Sequence, residues 1–99
     1  MLTTASLRPA PSAPETAVSC FSVEGEADPG LLPRVLELFA KRGLVPERFF
    51  AQQGRHGASS LTIDLQVAGF TAAQRDLVAA ALRQIPLVTA VLTSEKVAA

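Results

Sequence analysis

"EADPGLLPRVLELFAKRG", residues 26–43, opens on a tight turn and runs straight into a helix, and its reading orders the rest of the chain. Leu32, Val35, Leu36 and Phe39 recur at helical spacing while Arg34, Glu37 and Lys41 fall on the other side, which predicts one helix with one buried face. Pro33 is compatible with it, because first-turn N–H groups have no intrahelical partner to lose. Lys41 and Arg42 suit the negative end of the helix dipole, and Gly43 suits a left-handed stop. Ahead of the helix, Asp28, Pro29 and Gly30 can seat a ligand at its positive end or merely start it.

Upstream, "TAVSCFSVEG", residues 16–25, is short, rich in strand formers and closed by Gly25, which predicts a buried first strand. Downstream, "VPERFFAQQ", residues 45–53, reads as a second strand whose Pro46 places it at a sheet edge or restricts pairing at its start. "GRHG", residues 54–57, is the natural reversal. "SLTIDLQV" then alternates, with Leu61, Ile63, Leu65 and Val67 on one face and Thr62, Asp64 and Gln66 on the other. Thr71 and Gln74 have capping-box spacing and predict a second helix. Its apolar stripe runs through Leu77, Val78, Ala81, Leu82 and Ile85, and Pro86 ends it before a last strand over 87–93.

The order is β-α-β-β-α-β, and right-handed crossovers leave one sensible packing. That is an α+β ferredoxin-like two-layer sandwich, a four-stranded antiparallel sheet with both helices on one face. The module is expected over residues 16–95. Residues 1–15, "MLTTASLRPAPSAPE", carry three prolines among small and polar residues and read as a disordered tail, and 96–99 as a short C-terminal one. Phe49 and Phe50 are adjacent in the second strand, so they point to opposite faces, and at least one is a candidate partner interface. Packing of both within the core or its rim is the alternative.

Nearly half of the 99 residues are apolar, enough to bury a core without disulfides or a metal. Nine basic residues balance nine acidic ones with no run of five or more like charges, which gives no footprint for nucleic acid or an anionic membrane. No apolar stretch is long enough to span a bilayer, and no signal peptide is visible, so a cytoplasmic protein is expected. The single Cys20 cannot form an internal disulfide and is expected in the core.

Catalysis needs a nucleophile beside a base, paired carboxylates in a cleft, or a metal cluster. The chain offers no such constellation. His56, the only histidine, falls in the predicted hairpin turn and reads as a solvated residue without an acid beside it. Cys20 lacks the Cys-x-x-Cys spacing of soft-metal sites, so no metal or cofactor is expected. RNA-binding domains of this fold stack bases on aromatic residues of the central strands, and residues 61–65 offer none. An acylphosphatase-like enzyme would need a basic phosphate cradle after the first strand, where Glu24, Glu26 and Asp28 stand instead.

The segment from Glu26 to Gln52 resembles the start of an ACT domain, a small regulatory module of amino-acid-metabolising enzymes. Asp28, Pro29, Gly30, Leu32, Val35, Phe39 and Gly43 stand where that family has its acidic or amide residue, its Pro-Gly turn and its helix pattern. The likeness runs from about residue 17 to 94. Within the family, "FAKRG" and "IPLVTAVLTSE" are most similar to the small regulatory subunits of acetolactate synthase, an enzyme of branched-chain amino-acid biosynthesis. The resemblance implies a homodimer, a catalytic subunit as partner, and a small amino-acid effector. It places that effector at Asp28, Gly30, Leu31 and Leu32 of one chain and at Pro46, Glu47 and Arg48 of its neighbour.

Two positions depart from the feedback-sensitive pattern: Ala27 and Val45 stand where those subunits typically carry asparagine. An effector's charged ends left partly unpaired would forfeit about 1–3 kcal/mol each. The sequence therefore favours a non-catalytic regulator that works by protein contact, with a stand-alone amino-acid sensor as the alternative and an acylphosphatase-like enzyme a distant third.

Overall fold

The computed structural model describes residues 17–97, which form β1 (Ala17–Glu26), α1 (Leu31–Lys41), β2 (Arg48–Gln53), β3 (Ser60–Ala68), α2 (Ala72–Arg83) and β4 (Val88–Val97). The strands make one sheet in the order β2-β3-β1-β4, with every neighbouring pair antiparallel. This is the ferredoxin-like sandwich expected from the element order. The proposed tail over 1–15 lies outside the described residues.

Register explains the core. Val23 sits opposite both Ile63 and Val91, and Phe21 opposite Leu65, so one face of the sheet is a continuous apolar layer. Leu31, Val35 and Phe39 from α1 and Val78, Ala79 and Leu82 from α2 close over it. Phe21 meets Phe39 and Phe70 edge to face, with ring centroids 6.0 and 6.2 Å apart. The Thr71–Gln74 capping box forms as expected, each side chain accepting the other's backbone N–H, at 2.8 and 3.1 Å. Gly43 takes the left-handed conformation, φ +69°, at the stop of α1.

Four expectations are corrected. The buried stripe of α1 is 31/35/39, an i, i+4, i+8 series set by Leu31, which turns Leu36 outward to 42% exposure. In α2, likewise, Ala79 is buried and Leu77 is 70% exposed. β2 begins at Arg48 and not at 45, because Pro46 has no N–H to donate and the Glu47 N–H makes the first rung, to the Gln66 carbonyl at 2.7 Å. β4 runs to Val97 and takes in Lys96, since β1 offers its whole second edge, pairing Val18 with Lys96 and Ala17 with Val97.

Phe49 and Phe50 do face opposite ways. Phe49, opposite Leu65, points to the helix side and is 36% exposed, while Phe50, opposite Asp64, stands on the uncovered side at 45%.

Gly25 lies inside β1, not after it, where the pairing with β4 shifts by a residue. A Cβ there would stand 2.6 Å from the Leu87 carbonyl oxygen and 2.7 Å from Leu31 Cδ2. Only glycine fits. Gly25→Ala is expected to lower unfolding stability by about 1–3 kcal/mol, measured by urea denaturation, as overpacking forces Leu31 or Leu87 aside. An unchanged urea midpoint would mean that the contact has slack.

Candidate functional site

The turn between β1 and α1 is strapped down from both sides. Glu26 donates its N–H to the Leu87 carbonyl at 3.0 Å, and Ala27 donates to the Ser59 carbonyl of the β2–β3 hairpin at 2.7 Å. Asp28 then closes the turn: its Oδ1 accepts from the Gly30 N–H at 2.8 Å, and its carbonyl accepts from the Leu31 N–H at 3.0 Å. The Leu31 side chain is fully buried, and Pro33 has no N–H. Among the described residues, Leu32 holds the one first-turn N–H of α1 without a protein acceptor. The turn is built as a helix start, with Asp28 as its acceptor.

The second group expected at an effector site is elsewhere in the chain. Arg48 stands level with Gln66 and hence with Cys20, five residues from Gly25 along β1. At about 3.4 Å per residue that is roughly 17 Å of sheet. Pro46 and Glu47 lie beyond it at the same end. A single chain therefore brings Asp28, Gly30, Leu31 and Leu32 together but not with Pro46, Glu47 and Arg48. Arg48 leans over the Phe50 ring on the uncovered face, 6.0 Å from its centroid.

Two further expectations are corrected. His56 has an acid beside it: its Nε2 is 3.4 Å from Glu24 Oε2, because the hairpin folds back over β1. Thr62 donates its hydroxyl to the same carboxylate, at 3.0 and 2.9 Å to its two oxygens. Thr62 and Glu24 are paired in register, a neighbourhood invisible until the β1–β3 pairing is known. The cluster is no catalytic set, since Thr62 bonds the acid and not the imidazole. Cys20 is on the uncovered face, half-buried, because the alternate positions Phe21 and Val23 take the core. Its thiol points to the Val18 carbonyl at 3.9 Å. Among the described residues no three of His, Cys, Asp or Glu are grouped to hold a metal ion, and no helix is long and apolar enough to cross a membrane.

A four-stranded antiparallel sheet with one helical layer in the order β-α-β-β-α-β defines a small ferredoxin-like domain. The family model described as "ACT-like domain" matches residues 12–98, and the chain belongs to that family. Such domains are in general regulatory and non-catalytic, and they commonly bind amino-acid effectors and dimerise. Among solved structures, the chain is similar to the ACT domain of the GTP pyrophosphokinase of Chlorobium tepidum. The crystal structure of that domain superposes with a TM-score of 0.66 at 13% identity, covering 78% of this chain and 96% of that one. Its solution structure gives 0.67 at 14%, covering 80% and 88%. The C-terminal domain of the MgtC protein from Mycobacterium tuberculosis gives 0.65 at 15%, covering 85% and 92%. At these identities the likeness is one of fold. No curated protein matches the chain.

Removing the acceptor in Asp28→Ala is expected to lower stability by about 1 kcal/mol, while Asp28→Asn keeps most of it, both read by urea denaturation. Equal stability of all three proteins would show that the carboxylate does not hold the helix start.

Proposed function

We propose that the chain is a non-catalytic regulatory module that pairs with a second copy of itself and acts by contact on an amino-acid biosynthetic enzyme. The partner suggested by its helix end and last strand is the catalytic subunit of acetolactate synthase. The state of the turn carries the reading. Its Gly30 and Leu31 N–H groups are already held by Asp28, which leaves the Leu32 N–H alone in the first turn for an amino-acid carboxylate.

The second copy is expected along β2. That strand is a sheet edge with an unpaired outer side. Because α2 packs on β4 and β1, the crossover from β1 to β2 is expected to carry α1 over the β3–β2 half, with the exposed Leu36 and Phe49 as the apolar residues of that flank. A stand-alone amino-acid sensor is the second reading, supported by the opposed placement of the two residue groups. Antiparallel pairing of two β2 strands would carry Pro46, Glu47 and Arg48 of one copy towards the turn of the other.

Light scattering is expected to give twice the chain mass, falling to a monomer in Leu36→Asp with Phe49→Asp. The dimer, and not that variant, is expected to raise the activity of a purified acetolactate synthase catalytic subunit. A monomeric wild-type protein, or a variant that activates equally well, would contradict the proposal.

A further inference from the structure

Helices cover one side of the sheet, and the other side carries an open depression. Register sets Arg48, Gln66, Cys20 and Ser94 in one row across it and Phe50, Asp64, Ser22 and Leu92 in the next. Lys96 follows one row further along β4, opposite Val18. The depression that these residues line, Phe50 and Val18 excepted, has a volume of about 630 Å³. Sites for small organic molecules run from about 300 to 1,000 Å³.

Its charge is one-sided. Arg48 and Lys96 stand against a single acid of the lining, Asp64, which is drawn to Arg55 of the hairpin at 4.0 Å. Among the described residues neither Arg48 nor Lys96 has a carboxylate within ion-pair distance, although the whole chain is neutral. A sheet face meant only for water commonly sets opposite charges across neighbouring strands, whereas here Arg48 faces Gln66 and Lys96 faces Val18. The Phe50 ring holds the Arg48 guanidinium at the rim through its face, which leaves the N–H fork unspent. The side chains of Ser22, Ser94 and Gln66 likewise make no hydrogen bond within the protein among the described residues.

We propose that this concavity binds a small organic anion, a carboxylate or a phosphate ester, gripped by Arg48 and Lys96 with its apolar body against Leu92. The guanidinium fork suits either head group, and Gln66 and the two serines supply neutral partners for its remaining polar atoms. The site lies within one chain and stands apart from the β1–α1 turn. It does not depend on the second copy or on the partner enzyme.

The test is an amide-resolved NMR titration of the isotope-labelled protein with inorganic phosphate, succinate and adenosine monophosphate, with adenosine and sodium chloride as controls. Saturable shifts at Cys20, Gln66 and Ser94 are expected with at least one of the three anions and with neither control. The anion that works tells phosphate from carboxylate. Arg48→Gln with Lys96→Gln is expected to weaken that binding about tenfold or more while leaving the rest of the spectrum in place. No saturable shift at those amides, equal shifts with chloride, shifts confined to the β1–α1 turn, or binding indifferent to the double substitution would overturn the site. Light scattering on the same samples keeps the two proposals apart. A dimer without anion binding sinks only this site, and a monomer with anion binding sinks only the dimer.

Discussion

Leu31 packs against the bare backbone of Gly25, and much of the domain is arranged around that contact. A side chain at residue 25 would occupy the space of Leu31 Cδ2 and of the Leu87 carbonyl together. The close approach lets β1 run under the first residue of α1 while the loop before β4 passes on its other flank. Leu31 thereby fixes the rotation of α1, and Val35 and Phe39 follow it into the core one helical turn apart. Phe39 then meets Phe21 of the central strand, which ties the helix layer to the sheet at a second level.

The same anchoring decides what the turn can do chemically. A helix start is a ready anion site when its N–H groups point outward unpaired. Here burial of Leu31 pulls the chain tight, Asp28 takes the donors of Gly30 and Leu31, and Pro33 contributes none. A ligand carboxylate arriving at this end would have to displace Asp28 or rely on Leu32 alone. On the far side of the sheet, by contrast, Arg48 and Lys96 stand without a carboxylate at ion-pair distance among the described residues.

Element order, sheet topology and both helix starts were legible in the sequence, because alternation at 61–67 and the Thr71–Gln74 box are local signals. Helix rotation was less so. Leu31 and Leu36 are equally apolar, and only the glycine beneath residue 31 decides which one goes inside. For the same reason Gly25 looked like the end of a strand and proved to be a packing requirement within it. The turn residues Asp28, Gly30, Leu31 and Leu32 could be picked from the Pro-Gly pattern, but not how their hydrogen bonds are spent. The neighbours of His56 depend on long-range register, which no short stretch encodes, whereas the side of the sheet taken by Cys20 follows from its alternation with Phe21 and Val23.

Thermal unfolding in the presence of each of the twenty amino acids tests most directly whether the turn is closed on itself. A ligand at 100 times its dissociation constant adds about 2.7 kcal/mol, roughly ten degrees or more in a domain of this size. The account predicts no amino acid that raises the midpoint selectively through Asp28. A selective rise with one amino acid, abolished in Asp28→Ala, would contradict it and make the turn a ligand seat.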